Sequence, residues 1–114
     1  MSRYCEVRIR VQEYDESFES EIREAVEAFW TIDDVANGGN DLWLTGRDHL
    51  NAGYSEQALV DDLAVAIWAA NEGWCKVIIC IVRIDDAPKT TYDVKPADYA
   101  YLMHKRADEP KQTN

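Results

Sequence analysis

One short segment of the chain combines residue types that could carry out acid–base chemistry. Arg47, Asp48 and His49 are followed by Asn51, so a guanidinium, a carboxylate, an imidazole and an amide stand close together. A histidine can act as a general base near neutral pH when a neighbouring group orients it. The sequence predicts a polar loop over residues 46–53, a setting in which such side chains are also common without a catalytic role. Arg47, Asp48 and His49 are the candidate catalytic residues if the chain is a small enzyme or a ligand-binding α+β domain.

Other signatures of catalysis and metal binding do not occur in the sequence. His49 and His104 lie in different predicted elements, and neither has a second ligand at helical or strand spacing. The segment 33–41 carries acidic and amide residues around glycines, but Val35 stands where a calcium loop needs an oxygen ligand. There is also no G-x-S-x-G motif and no glycine loop with phosphate-binding spacing. The sequence therefore predicts neither a metal site nor a cofactor.

The cysteines and the apolar runs bear on where the protein resides. The chain has three cysteines, Cys5, Cys75 and Cys80. An odd number of cysteines without C-x-x-C spacing is typical of free, packed thiols in a reducing compartment. The N-terminus starts directly with an alternating strand pattern, so no secretory leader is predicted. No apolar run reaches the roughly 20 residues of a membrane helix. We expect a cytoplasmic protein without a membrane partner.

The charge of the chain restricts its partners. Twelve Lys and Arg residues against 22 Asp and Glu residues give a net charge of −10. Such a surface repels nucleic acid at long range, and no aromatic RNA-recognition motif occurs on the predicted strands. Between Glu13 and Asp41, where acid is concentrated, Arg23 is the only basic residue. The sequence therefore predicts a basic protein partner and no direct nucleic-acid contact; the alternative is that the acidity serves solubility alone.

The acidic residues of the first predicted helix are the candidate contacts for such a partner. Glu19, Glu24 and Glu27 are the residues selected on its flanks and outer face. In size and charge, the chain resembles the anti-defence and DNA-mimic proteins of phages and plasmids. That resemblance implies a non-enzymatic, inhibitor-like domain that binds a basic protein, and this is the leading functional hypothesis.

One helix and one strand organise the rest of the chain. Ser55 is a suitable N-cap, and residues such as Leu59 and Leu63 follow at the spacing of an apolar helical stripe. Gly73 is expected to end this helix in the left-handed conformation. The next segment, Cys75–Ile84, is rich in β-branched residues and almost continuously apolar. This composition is typical of a strand with neighbours on both sides.

Further elements flank this pair. Tyr4–Gln12 alternates apolar and polar residues, which is the pattern of a strand with one wet face. Apolar residues at helical spacing predict a helix from about residue 15 to Trp30. Toward the end of the chain, Thr90–Val94 is expected to return as an edge strand, and Pro96 to begin a short helix.

A hairpin is predicted between the first helix and the polar loop. The Asn37–Gly38 pair favours a tight turn because both residue types tolerate positive φ. The arms would be Thr31–Ala36 and Asp41–Thr45. The first arm is left open, because its two aspartates suit either a short edge strand or a loop.

The predicted order β-α-β-β-α-β indicates an α+β fold of the ferredoxin-like, split βαβ type. Two helices would lie on one face of an antiparallel sheet with spatial order 4-1-3-2, and an extra C-terminal strand and turn would follow beside the fourth strand. The alternative is a different α+β sheet. We expect one domain over residues 1–104 and a polar, frayed tail over residues 105–114.

The fourth strand poses a problem for such a sheet, because it is apolar on both faces. Only one face can lie under the helices, and the sequence leaves open which one it is. Ile78 and Val82 share one of the two faces and are candidate interaction residues. An exposed patch of this kind predicts a homodimer through the open sheet face, unless the segment Tyr99–Met103 covers it.

Overall fold

The computed structural model describes residues 3–38, 40–51, 53–83, 89–94 and 96–108. These residues form one five-stranded antiparallel sheet and three helices, so the predicted α+β class is confirmed. The elements in chain order are β1 (Arg3–Gln12), a 3-10 turn (Glu16–Phe18), α1 (Glu19–Glu27), β2 (Asp34–Gly38), β3 (Asp41–Leu50), α2 (Glu56–Asn71), β4 (Lys76–Arg83), β5 (Lys89–Val94) and α3 (Pro96–Asp108).

The strand β1 lies at the centre of the sheet. The order is β2-β3-β1-β4-β5, and every neighbouring pair is antiparallel. All ten residues of β1 pair with β3, from Arg3 opposite Leu50 to Gln12 opposite Asp41. Because side chains alternate along a strand, Cys5, Val7, Ile9 and Val11 point to one side of the sheet, and the polar residues between Cys5 and Val11 point to the other.

The helices cover the apolar side of the sheet. Ile22 and Val26 of α1 join Leu63 and Ile67 of α2 in one buried core with the inward-facing residues of β1, β3 and β4. Leu63 is completely buried, as its central place in the predicted stripe requires. The face of β4 that lies under the helices is the one formed by the buried residues Val77, Ile79 and Ile81.

The predicted start of α2 is confirmed, and its predicted end is shifted by one residue. The Ser55 hydroxyl accepts a hydrogen bond from the backbone N–H of Ala58 at 3.0 Å. At the other end Glu72 takes the left-handed conformation, with φ 59°, where the sequence suggested Gly73. The Gly73 N–H then donates to the carbonyl of Trp68 at 3.2 Å, which closes the helix one residue earlier.

The helix α3 packs on α2 and is longer than the short helix predicted. The Tyr99 ring lies edge-on to Trp68 of α2 at 4.9 Å and to Trp74 at 5.8 Å. These contacts place α3 on the helical side of the sheet, so it does not cover the opposite face. The helix continues to Asp108 and therefore includes residues 105–108, which the sequence predicts as part of the tail. Residues 84–88 and 109–114 lie outside the described residues.

The first helix ends earlier than predicted. It stops at Glu27 rather than near Trp30, and Phe29, which the apolar stripe placed inside, is 45% exposed. Trp30 takes the buried position instead, and its indole N–H donates to the carbonyl of Gly46 at 3.0 Å. The chain leaves the helix because this hydrogen bond draws the indole toward β3 in the sheet.

The predicted hairpin is present, but the Asn37–Gly38 pair does not form its turn. Asn37 pairs with Leu42 and Gly38 pairs with Asp41, so both residues of the expected turn belong to β2. The side chain of Asn37 is engaged as well, because its amide donates to Glu19 of α1. The first arm is therefore Asp34–Gly38 rather than Thr31–Ala36.

The loop predicted over residues 46–53 is largely wrong, because β3 continues to Leu50. Pairing with the full length of β1 supplies hydrogen bonds to this polar segment, and tertiary context overrides its weak strand propensity. Gly46 marks a close contact within this stretch. A Cβ atom built there would lie 1.8 Å from the carbonyl oxygen of Thr31.

Gly46→Ala should destabilise the protein, because backbone rather than a movable side chain occupies the space that the methyl group needs. We expect a loss of about 2–3 kcal/mol in the free energy of unfolding, measured by urea denaturation. Gly38→Ala is the matched control, because nothing lies within 4 Å of a Cβ atom at that position. It should change stability by less than about 0.5 kcal/mol. Equal effects of the two substitutions would contradict the close packing at Gly46.

Candidate interaction surfaces

The three candidate catalytic residues do not converge in the structure. They occupy successive positions of β3, so Asp48 points to the helical side while Arg47 and His49 point to the opposite side. Asp48 accepts a hydrogen bond from the hydroxyl of Thr31 at 2.8 Å. Arg47 instead donates to Glu6 at 3.0 Å. The sheet itself thus separates the acid from the cation and the imidazole.

Asp48 is a structural anchor for the segment that enters β2. Burial opposes its ionisation, but hydrogen bonds from Thr31 and from the backbone N–H of His49 outweigh this effect and lower the pKa of Asp48. A carboxylate held in its charged form in this way is a poor proton donor near neutral pH. Among the described residues, no group of three or more His, Cys, Asp or Glu side chains could hold a metal ion.

The side of the sheet away from the helices is a second surface, which we call the open face. No described element covers it. It is formed by the outward side chains of the three central strands together with those of β5. Its main residues are Glu6, Arg8 and Arg10 of β1, Trp43, Thr45 and Arg47 of β3, Ile78, Cys80 and Val82 of β4, and Thr91 and Asp93 of β5.

Ion pairs organise the charged part of the open face. Glu6 accepts from Arg8 at 2.5 Å and from Arg47 at 3.0 Å, so one carboxylate joins two guanidinium groups. Arg10 pairs with Asp41 at 2.6 Å and also lies 4.7 Å from the centre of the Trp43 ring. This cation–π contact holds the indole against the sheet although the residue remains 41% exposed.

The hydrogen bonds from Arg8 and, next in size, from Arg47 lower the pKa of Glu6, although burial acts in the opposite direction. Hydrogen bonds from Arg10 and Gln12 likewise lower the pKa of Asp41. Both carboxylates are therefore ionised at neutral pH and pair with the arginines on this face.

An apolar strip borders this charged region. Ile78, Cys80 and Val82 point outward from β4 and are only half-buried. Both candidate interaction residues of β4, Ile78 and Val82, thus lie on the uncovered side of the sheet. Together with neighbouring side chains, part of the strip lines a shallow hollow formed by Arg8, Arg10, Trp43, Ile78, Cys80 and Thr91.

The exposed carboxylates of α1 form the other candidate surface, which we call the acidic helix face. It consists of Glu21, Glu24 and Glu27, all of which are exposed. Within the described part of the chain, none of the three forms an ion pair; the four ion pairs found there involve other carboxylates. Two of the three lie near the C-terminal end of α1, whose last turn has no basic residue.

Glu19 does not belong to this free surface. Its carboxylate accepts hydrogen bonds from the hydroxyl of Tyr14 at 3.2 Å and from the amide of Asn37. These contacts tie the start of α1 to the hairpin. Of the three acidic candidates taken from the sequence, Glu24 and Glu27 are therefore available to a partner, while Glu19 has a structural role.

Neither Trp43 nor its contact with Arg10 is among the candidates taken from the sequence. The pattern that predicts the position of Trp43 is the spacing of Leu42, Leu44 and Leu50. If β3 extends to residue 50, these leucines point inward, and Trp43 must therefore point outward.

Comparison with known proteins finds no matching family model, no similar curated protein and no similar solved structure. None of the helices in the described ranges is long and apolar enough to cross a membrane.

Glu6→Gln should reveal the contribution of the paired carboxylate. Because the pKa of Glu6 lies below its ordinary value of 4.5, its charge contributes stability that is present above that pH and is lost as the pH falls through the folded-state pKa. We expect the variant to be less stable than the native chain by about 1 kcal/mol at neutral pH. The difference should vanish toward about pH 3. Urea unfolding at both pH values measures it, and a constant difference would contradict the assignment.

Proposed function

We propose that this chain is a small, non-enzymatic interaction domain that binds a basic protein through the acidic helix face. The observation that carries the proposal is that Glu21, Glu24 and Glu27 are exposed together and lack ion-pair partners among the described residues. Residues three apart on a helix are neighbours, so these carboxylates present a dense negative surface. Such a surface accelerates encounter with a positively charged partner.

The position of these charges argues against a role in stability. Carboxylates near the C-terminus of a helix interact unfavourably with the helix dipole, typically by about 0.3–1 kcal/mol each. Glu24 and Glu27 lie at this end of α1. Solubility requires acid somewhere on the surface but not at this particular place. A loss of stability from carboxylates at the C-terminal end of a helix is the kind of cost that proteins bear at functional sites.

The connectivity of the sheet supports a finer fold assignment as part of the same proposal. We infer that the chain is an elaborated ferredoxin-like unit. In support, β3 lies between β1 and β2, while β4 lies on the far side of β1. The strand β5 and the helix α3 are additions that a plain unit of this type lacks.

The free thiols support a cytoplasmic location. Cys5 and Cys75 are buried, and burial raises the pKa of Cys75 to about 12, which makes it unreactive. An inhibitor-like or DNA-mimic role would follow if the basic partner handles nucleic acid. The enzymatic alternative draws no support from the geometry of β3, because Arg47 and Asp48 point to opposite sides of the sheet.

The test is a kinetic one on the partner captured from the native host and identified by mass spectrometry. Glu24→Lys combined with Glu27→Lys should slow association about tenfold or more at low salt, with a smaller effect at high salt and little change in dissociation. The same variant should be at least as stable as the native chain, because lysines suit the C-terminal end of a helix.

The matched control reverses the same number of charges on other elements. Glu72→Lys combined with Asp98→Lys gives an equal change in net charge at exposed positions that lie outside α1. This control should alter association much less than the α1 variant. If both variants slow association equally, net charge alone is responsible, and the assignment to the acidic helix face is wrong.

A further inference from the structure

We propose that two copies of the chain pack open face against open face about a two-fold axis that runs across the strands at the level of Arg8. The proposal is independent of the basic partner, because it concerns the opposite side of the sheet. A symmetric dimer requires a surface patch that is complementary to itself. The strand registers allow this requirement to be tested residue by residue.

The registers arrange the open face in rows that run across the strands. The row at the proposed axis contains one residue from each of the five strands: Asp34, Thr45, Arg8, Cys80 and Thr91. The row on one side of it consists of Trp43, Arg10 and Ile78. The row on the other side consists of Arg47, Glu6 and Val82.

A half-turn about the central row brings each flanking row opposite the other row of the second copy. Arg10 then faces Glu6 of the second copy, which joins opposite charges. Ile78 faces Val82 of the second copy, which joins two apolar residues of the half-buried strip.

The remaining pair places Trp43 opposite Arg47 of the second copy, which allows a cation–π contact. These three pairs are complementary, and each occurs twice in the dimer. The residues on the axis face their own copies: Arg8 faces Arg8, a like-charge contact that the pairing of each Arg8 with Glu6 of its own chain offsets, and Asp34 faces Asp34 at the edge of the sheet. Exposed tryptophan and arginine are also the residue types most enriched at the centres of interfaces.

Charge also selects this face for self-association. Two chains of net charge −10 repel each other over most of their surface. On the open side of the sheet, the basic residues Arg8, Arg10, Arg47 and Lys76 balance the acidic residues Glu6, Asp34, Asp41 and Asp93. This side is therefore where two acidic chains approach with little repulsion.

An axis parallel to the strands along β1 would give a different and poorer match. It would place Glu6, Arg8 and Arg10 each opposite the same residue of the second copy and Ile78 opposite Trp43, so that none of the three complementary pairs would form. The two arrangements can be distinguished by complementation, because only the proposed axis brings positions 78 and 82 of different copies together.

Sedimentation velocity at micromolar concentration provides the test. The native chain should sediment as a dimer of its 13.1 kDa protomer. Ile78→Lys alone and Val82→Glu alone should each raise the dimer dissociation constant about thirtyfold, the usual result of disrupting an interface centre. An equimolar mixture of the two variants should recover the dimer, because the introduced lysine of one copy then faces the introduced glutamate of the other.

Circular dichroism establishes that each variant is folded, and Tyr101→Lys on the exposed surface of α3 is the control that should leave the dimer intact. A monomeric native chain at these concentrations would overturn the proposal. A native dimer with folded single variants whose mixture remains monomeric would overturn the proposed axis.

Discussion

The structure depends on the two-sided pattern of its central strand. In β1, the residues Cys5, Val7, Ile9 and Val11 are completely buried, while the residues between them carry charges or hydrogen-bonding groups. Because β1 pairs with both β3 and β4, this alternation decides which side of the whole sheet receives the helices. A shift of one residue in either register would turn the apolar set of a neighbouring strand outward, so the registers are strongly specified.

The strand β4 does not have one apolar and one polar side as β1 does. Its inner residues complete the core, but Ile78 and Val82 bring apolar area to the side that β1 makes polar. The helix α3 could have covered this area, yet the contact of Tyr99 with Trp68 holds it on α2. The molecule thus has two opposed surfaces, an acidic one formed by α1 and one formed by the sheet in which apolar residues lie beside charges of both signs. A dimer through the second surface would leave two acidic surfaces directed outward and free for a partner.

Sequence patterns predicted the elements whose burial is regular. The alternation of β1, the apolar run of β4 and the cap of α2 at Ser55 all follow from local rules, and the structure confirms them. The predictions are wrong where contacts between residues far apart in the sequence determine the structure. Residues 46–50 look like a loop but become a strand because β1 supplies their partners, and Glu19 looks like a surface charge but binds Asn37 of the hairpin. No local pattern carries these contacts, since they depend on pairs more than 15 residues apart in the chain.

In the proposed dimer, two copies meet through the open face and not through the helical side. Hydroxyl-radical footprinting over a concentration series tests it most directly, because exposed aromatic residues on both sides serve as natural probes: Trp43 on the open face, and Phe29 and Tyr101 on the helical side. Oxidation of Trp43, read by mass spectrometry, should fall as the concentration rises, while oxidation of Phe29 and Tyr101 stays constant. Protection of Phe29 or Tyr101 with undiminished oxidation of Trp43 would contradict the account.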